Sequence, residues 1–233
     1  MDRRQIRQGL ARQGFSAQRH GYGLLLILIL ISLAFQLATT GGDVVHVVTI
    51  ALQGGTFLAA LWISQARTRL LRVVSVLTVA VTVAAAVILS AAGEVDDAAA
   101  GMANLLLAAA AAVAIAHGLV VHFREQGRVT VQTMFGVLCI YLLIGSFFAF
   151  AYGVIDDLGS QPLFAQISGG TNSDYLYFSF ATLTTTGFGD LTAATDLGRS
   201  LAITEALIGQ IYMVTVVALI VANLSRPGPR PVR

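Results

Sequence analysis

The sequence predicts an all-α membrane protein with six transmembrane helices and one short re-entrant helix. Charged residues make up only 11% of the chain, against about 25% in typical soluble proteins. Hydrophobic residues reach 56%, and they are concentrated in stretches long enough for the roughly 20 helical residues that cross a bilayer. Because a soluble domain needs a charged surface that this composition does not supply, we expect most of the chain to face lipid.

Six apolar stretches are the predicted membrane spans, and the loops between them alternate in charge. The spans cover residues 22–40, 44–64, 70–92, 99–121, 133–155 and 199–223. Arginines precede the first span, follow the last one and occupy every second loop, whereas the other loops carry mainly aspartate and glutamate. The positive-inside rule therefore predicts a multi-pass protein of the cell membrane with both termini in the cytoplasm.

The basic start followed by an apolar run is also a pattern of cleaved signal peptides. Here the arginines are spread from Arg3 to Arg19, and the run 24–38 is followed by Thr-Thr-Gly-Gly-Asp rather than by a small-x-small cleavage site. Cleavage would also break the alternation of loop charges. We therefore predict that the first span is retained.

Composition and motifs exclude several classes of function. All 14 basic residues are arginine and the net charge is only +2, so no concentrated basic face is available for nucleic acid. The single cysteine, Cys139, excludes an intrachain disulfide and a cysteine-cluster metal site. Protease-like patterns such as GxSxG and HExxH are absent from the sequence. We expect neither an enzyme nor a bound cofactor.

The segment between the fifth and sixth spans differs from the other loops. Asn172, Ser173 or Asp174 can cap a helix start, and the aromatic-rich stretch that follows is long enough for about two to three turns. The stretch ends in Thr184-Thr185-Thr186-Gly187-Phe188-Gly189-Asp190. A short helix that enters a membrane and stops needs protein or water to satisfy its backbone, which predicts a re-entrant loop facing a cavity.

Five consecutive residues resemble the selectivity filter of potassium channels, whose common form is TVGYG: Thr185, Thr186, Gly187, Phe188 and Gly189. The order of outer span, short helix, filter-like motif, acidic residue and inner span over 133–223 also resembles the pore domain of that family. Gly198-Arg199 and Gly209 fall where the simplest bacterial potassium channel has a Gly-Arg pair and a hinge glycine. The whole chain resembles a bacterial six-span channel with one pore loop, of the voltage-gated-like superfamily.

The resemblance implies a potassium-selective channel in which backbone carbonyls replace the water of the ion. K+ would bind at Thr185, Thr186, Gly187 and Phe188, and the Thr185 hydroxyl would add the lowest ring of oxygens. Gly187 and Gly189 would need dihedral angles that residues with a Cβ reach only with strain. Because one chain offers one filter strand and a full ring needs four, the resemblance implies a homotetramer in the lipid bilayer.

Two departures from the family pattern affect the expected selectivity. Phe188 replaces the common tyrosine, and Thr186 replaces valine or isoleucine, so that a hydroxyl behind the filter needs a partner. Loosened packing there would permit some sodium leakage, which leaves a weakly selective cation channel as an alternative, and a carrier as a weaker one. Tyr177 is in position to support the filter by bonding Asp190.

The inner span contains several further candidates. Gly209 is expected to be a gating hinge, with close helix packing as the alternative. Gln210, Met213 and Val217 fall roughly on one helical stripe and are predicted to line the cavity. Glu205 is an acid inside a membrane span, which is a functional candidate by default. Its expected partners are Arg199 or polar groups behind the filter, and a position directly on the cavity is a weaker alternative.

The resemblance also predicts how the chain is divided. The divisions are a basic cytoplasmic N-terminus 1–21, a peripheral four-helix domain 22–121, a cytoplasmic linker 122–132, a pore domain 133–223 and a short cytoplasmic tail 224–233. Within the pore domain, the pore helix is predicted at 174–184, the filter at 185–189 and the inner helix at 199–223. The predicted fourth span, 99–121, contains no charge, so we expect no steep voltage gating.

Overall fold

The computed structural model describes residues 21–39, 43–63, 97–126 and 130–224, and their regular structure is helical apart from one isolated β-bridge. The helices are α1 (Gly21–Ala38), α2 (Asp43–Ile63), α3 (Asp97–Gln126), α4 (Val131–Leu158), α5 (Asn172–Leu183) and α6 (Asp196–Leu224). The predicted third span at 70–92 lies outside the described residues, as do the basic N-terminus before Gly21 and the tail after Leu224.

Four of the described helices, α1 to α4, are long and apolar enough to cross a membrane. The last helix, α6, has 29 residues and carries Asp196, Arg199 and Glu205 along its first half. The described part of the predicted cytoplasmic linker 122–132 is mostly helical. Helix α3 continues to Gln126, and α4 begins at Val131. The chain is therefore an all-α, multi-pass membrane protein, as its composition predicts.

Helix α4 lies at the centre of the packing. Helices α1 and α3 pack on one part of its surface, and α5 and α6 pack on another. Helix α2 contacts α1 and α3, and α1 also reaches α5, where the Ser173 hydroxyl donates to the Leu37 carbonyl. Cys139, in the first half of α4, is fully buried. The peripheral helices thus form one body with the helices that position the candidate site.

A glycine in α4 allows α5 to lie directly against the α4 backbone. A Cβ placed on Gly145 would be 2.7 Å from the ring of Phe180, which is far closer than van der Waals contact permits. On the same side, the Ser179 hydroxyl donates to the Gly145 carbonyl at 2.7 Å. The position of α5 is therefore set by a close contact and a hydrogen bond to the central helix.

The start of α5 is fixed by a capping box that begins one residue earlier than we expected. Thr171 is the N-cap, and its side chain accepts from the backbone N–H of Asp174. The Asp174 carboxylate accepts in return from the Thr171 N–H at 2.8 Å and from the Thr171 hydroxyl at 2.7 Å. The expected cap among residues 172–174 was wrong because their neighbour Thr171 satisfies the free amides at the helix start, while Asp174 completes the reciprocal pair.

The loop between α4 and α5 is organised around one carboxylate. Asp156 accepts from the backbone N–H of Leu163 at 2.6 Å, from the N–H of Gly170 at 3.0 Å and from the Tyr175 hydroxyl at 2.5 Å. Hydrogen bonds to a charged acceptor are among the stronger ones in proteins. Asp156 therefore ties both ends of the loop to the end of α4 and to the first turn of α5.

The same loop is braced against the chain that follows residue 190. Phe164 and Ala193 form an antiparallel bridge, in which the Ala165 N–H donates to Thr192 O at 3.0 Å and the Ala194 N–H donates to Leu163 O at 2.7 Å. The segment after the filter-like motif is consequently held to the α4–α5 loop before it enters α6.

We predict that Asp156→Ala loosens the α4–α5 loop, because three donors lose a charged acceptor. The local opening free energy at Leu163 and Gly170 should fall by about 1 kcal/mol. Hydrogen exchange at these two amides measures this change. Asp157→Ala is the matched control, since it removes the same charge from the same helix end but leaves all three bonds; equal exchange in the two variants would contradict the assignment.

Candidate functional site

The candidate site is the loop of residues 185–189, which joins α5 to the chain leading into α6. All five residues are exposed on the single chain, and the Phe188 side chain has 67% of its surface accessible. An apolar aromatic ring exposed in this way is available for contact with lipid or with another chain. The five residues predicted to bind ions therefore form one continuous open strand.

The backbone of the 185–189 loop alternates in the sign of φ. Thr185, Gly187 and Gly189 have φ of 56°, 54° and 83°, whereas the residues between them have negative φ. Every second residue of the loop therefore has the positive φ of the left-handed region. Gly187 and Gly189 thus adopt the conformation that their lack of a Cβ permits.

Thr185 is the residue whose conformation the sequence did not suggest. It is the only non-glycine residue with positive φ in the described part of the chain. A β-branched residue in this region is strained, and such strain persists only where the surroundings impose it. Here the backbone N–H of Thr185 is held by the carbonyl of Thr182 at 2.9 Å.

Hydrogen bonds to the end of α5 fix the direction of the carbonyls. The N–H groups of residues 185–187 donate to Thr182 O, Ala181 O and again Ala181 O, at 2.9, 2.9 and 3.1 Å. In a trans peptide the N–H and the preceding carbonyl point in opposite directions, and the described residues contain no cis peptide. The carbonyls of residues 184–186 therefore point away from α5, toward the open side of the loop.

Tyr177 of α5 supports the far end of the loop through two contacts. Its hydroxyl donates to Asp190 Oδ2 at 2.8 Å, and its ring stacks on Phe188 with centroids 5.8 Å apart and planes 10° from parallel. The phenol is the donor and the carboxylate the acceptor in this hydrogen bond. A tyrosine at position 188 would have a hydroxyl to bond to α5. With phenylalanine there, Tyr177 of α5 makes the connection to the loop instead.

The hydroxyl of Thr186 has a partner behind the loop. Its Oγ1 lies 2.8 Å from Thr184 Oγ1, and the Thr184 hydroxyl donates to the Phe180 carbonyl at 2.6 Å. The polar group that the sequence placed behind the filter-like motif is therefore satisfied within the same chain. These bonds connect the loop to the last turn of α5.

Gly209 of α6 is in contact with the carboxyl end of α5. A Cβ on Gly209 would lie 2.1 Å from the Leu183 carbonyl oxygen, a distance that no side chain tolerates. Close packing, the alternative to a hinge, therefore already requires a glycine at position 209. The hinge role stays a prediction, and close packing alone accounts for the glycine.

Two of the three predicted cavity residues lie on the part of α6 that the rest of the chain leaves uncovered. Gln210 and Met213 are exposed, whereas the buried Glu205 and Gly209 face α4 and α5. For Val217 only its place in α6 is described. On the single chain, the exposed face of α6 and the open side of the 185–189 loop are both left uncovered.

Glu205 does not pair with Arg199. The Arg199 side chain donates to the Ala193 carbonyl at 3.0 Å and lies 4.0 Å from Asp196. Glu205 is fully buried and is bonded to the Tyr152 hydroxyl of α4 at 2.7 Å and the Ser179 hydroxyl of α5 at 2.5 Å. The expected pairing with arginine is therefore wrong, and the alternative, polar groups behind the filter-like loop, is the arrangement observed.

Sequence reasoning missed Tyr152 and Ser179 as members of this arrangement. Each is one hydroxyl in an apolar or aromatic-rich helix, and nothing in the local pattern separates it from an ordinary core residue. A signal was nevertheless present, because a buried acid needs hydrogen-bond donors on neighbouring helices. The hydroxyl-bearing residues of the neighbouring helices α4 and α5 were therefore the candidates to consider.

The described residues contain no group of three or more His, Cys, Asp or Glu side chains that could hold a metal ion. The oxygens gathered at the candidate site are instead backbone carbonyls and threonine hydroxyls. Such neutral oxygens suit a weakly held, exchangeable cation better than a tightly bound structural one.

Comparison with known proteins gives one match. Residues 136–226 match a family model described as ion channel, and these residues include most of α4, all of α5, the 185–189 loop and α6. No curated protein matches the chain, and no solved structure matches it. The family match and the long apolar helices support ion-channel activity in a multi-pass membrane protein.

We predict that Gly209→Ala destabilises the protein by about 1 to 3 kcal/mol, as overpacking of a tight contact usually does. Gly23→Ala in α1 is the matched control, because its Cβ would meet the Phe135 ring at an ordinary 3.5 Å. Thermal unfolding in detergent compares the two variants. If both retain the stability of the original protein, the contact between α6 and Leu183 is not as close as described.

Proposed function

We propose that this protein is a potassium-selective channel in which four copies of the chain surround one pore and conduct K+ passively across the cell membrane. The observation that carries the proposal is the orientation of the peptide groups in the 185–189 loop. The amides of residues 185–187 are bonded to the end of α5, which leaves the consecutive carbonyls of residues 184–186 on the open side. A row of carbonyl oxygens on one side of a strand is what replaces the water around a permeating K+ ion.

Ion binding is proposed at the backbone oxygens of Thr185, Thr186, Gly187 and Phe188, with the Thr185 hydroxyl at the inner end. One strand offers oxygens on one side only, so a permeating ion is surrounded only when other copies supply the remaining oxygens. The exposure of the loop and of the outward face of α6 on the single chain supports this assembly. Four copies follow from the resemblance to potassium channels.

Selectivity for K+ over Na+ depends on how firmly the loop is held. Tyr177 reaches Phe188 and Asp190, and Thr184 satisfies the Thr186 hydroxyl. The Phe188 ring is therefore stacked by a side chain of α5, and the Thr186 hydroxyl is satisfied by Thr184, which directly follows α5. This support favours a potassium-selective pore over a weakly selective cation channel.

The charged residues are distributed as expected for a cation pore, with acidic residues at one mouth and most arginines on the opposite side of the membrane. Acidic residues lie at the end of α4, directly after the loop and at the start of α6, and they include Asp157, Asp190 and Asp196. A concentration of negative charge at one mouth raises the local concentration of cations. By the positive-inside rule, we place the arginine-rich loops and both termini in the cytoplasm.

Voltage is not the proposed stimulus. A membrane charge moved through 100 mV yields about 2.3 kcal/mol, but α3 contains no charged residue between 99 and 121. The proposed role of α1 to α3 is to pack around α4 and, through α1, around α5.

We predict that the purified protein in liposomes carries K+ with a reversal potential close to the potassium equilibrium potential, and that Ba2+ blocks the flux. Tetramer formation is measured on the same sample by light scattering in detergent. Equal carriage of Na+ would favour a weakly selective cation channel. Flux that saturates and exchanges one ion for another would instead favour a carrier, and no flux would overturn the proposal.

We predict that Gly187→Ala abolishes K+ conduction while the tetramer remains intact. A Cβ at φ of 54° costs about 1 to 2 kcal/mol, which is enough to turn a carbonyl away but too little to unfold the chain. Gly169→Ala is the matched control, because Gly169 has φ of 78° in the outer loop and takes no part in the proposed pore. Selective K+ conduction by Gly187→Ala would disprove the site assignment.

A further inference from the structure

The buried carboxyl of Glu205 joins three helices at one point. Tyr152 of α4 lies 2.7 Å from Glu205 Oε2, and Ser179 of α5 lies 2.5 Å from Glu205 Oε1. Ser179 is also 2.7 Å from the backbone carbonyl of Gly145 in α4. All four residues are buried, so this cluster, Glu205–Ser179–Tyr152–Gly145, is shielded from bulk water.

Counting protons shows that two hydroxyls cannot satisfy three contacts. Tyr152 supplies one proton, which serves its contact with Glu205 Oε2, and Ser179 supplies one proton for two neighbouring oxygens. If the Ser179 proton is directed to an ionised Glu205, the oxygens of Ser179 and Gly145 face each other at 2.7 Å without a proton between them. A proton on Glu205 Oε1 completes the set, since the carboxyl then donates to Ser179 and Ser179 donates to Gly145.

Among the residues that the structure describes, no charged side chain is bonded to the cluster. Arg199, the nearest arginine along α6, is bonded to Ala193 and lies beside Asp196. In the described part of the chain, the groups bonded to Glu205 are the neutral hydroxyls of Tyr152 and Ser179. An ionised carboxylate buried without a cation is very unfavourable, which agrees with the proton count.

The cluster lies where the inner helix meets the helix that carries the loop. Residues four apart on a helix share a face, so Glu205 and Gly209 of α6 face Ser179 and Leu183 of α5. Glu205 is hydrogen-bonded to Ser179, and Gly209 contacts the backbone of Leu183. Farther along the same face, the Tyr212 hydroxyl donates to Val137 O at 2.6 Å.

We propose that Glu205, in its neutral form, is a positioning residue that holds α5 against α4 and α6 and so keeps the 185–189 loop in its ion-binding conformation. The effect on ion binding by the loop rests on the proposed function. The protonation of Glu205 is a property of the cluster and does not depend on that function. Loss of the link frees α5 to shift, and the loop moves with it because its amides are bonded to Ala181 and Thr182.

Substitutions at Glu205 separate a neutral positioning residue from a charged one. Glu205→Gln keeps a donor for Ser179 and an acceptor for Tyr152, so its reversal potential and thermal stability should match those of the original protein. Glu205→Ala should shift the reversal potential toward the sodium equilibrium potential and lower the temperature at which the tetramer dissociates. Impairment of Glu205→Gln to the level of Glu205→Ala, or unchanged behaviour of Glu205→Ala, would overturn the proposal.

Ser179→Ala tests the second member of the cluster against a matched control. Ser146 is equally buried, but its hydroxyl donates to Leu142 O within its own helix. Ser179→Ala should therefore share the defect of Glu205→Ala, whereas Ser146→Ala should behave as the original protein does. Equal effects of the two serine substitutions would remove the assigned role of the link.

Infrared difference spectra between the original tetramer and Glu205→Gln test the proton directly. The original protein should show the carbonyl-stretch band of a protonated carboxyl, and Glu205→Gln should lack it. A difference spectrum with carboxylate bands alone would overturn the proposal. Because this measurement needs no ion flux, it decides the state of Glu205 even if the protein carries no K+ and the proposed function fails.

Discussion

The hydrogen bonds from the amides of residues 185–187 to the end of α5 are the constraint on which the candidate site depends. Peptide groups are planar, so fixing an N–H also fixes the direction of the carbonyl on its other side. The bonds use carbonyls that a helix end leaves without partners. The carboxyl end of α5 therefore both terminates the helix and orients the oxygens of the loop, which gives the short helix a direct part in the proposed ion binding.

Because the loop takes its geometry from α5, the contacts of α5 determine the rest. Gly145 and Gly209 allow the backbones of α4 and α6 to approach α5 more closely than any side chain would permit. Asp156 holds the start of α5 through Tyr175, and Glu205 holds its middle through Ser179. The helix is thus restrained at its beginning, middle and end, while the open side of the loop is left uncovered on the single chain.

Much of this arrangement was accessible from the sequence, but unevenly. The helix predicted at 174–184 is observed as Asn172–Leu183, and the inner helix predicted at 199–223 is observed as Asp196–Leu224. Helices and their ends follow from periodicity and from caps a few residues away, which explains the small errors. The contact between Tyr177 and Asp190 was within reach because both residues flank one short motif. The partners of Glu205 were not, since they lie 26 and 53 residues away in the chain.

The sequence by itself determined the membrane class, the alternation of charged loops and the order of short helix, filter-like motif and inner helix. Those features depend on composition and local spacing, which a chain carries without being folded. Only the tertiary structure decided that Gly209 packs against Leu183, that Glu205 lies between two hydroxyls, and that the carbonyls before residues 185–187 face away from α5. Each of these depends on a distance between atoms on different segments, and such distances exist only once the helices have packed.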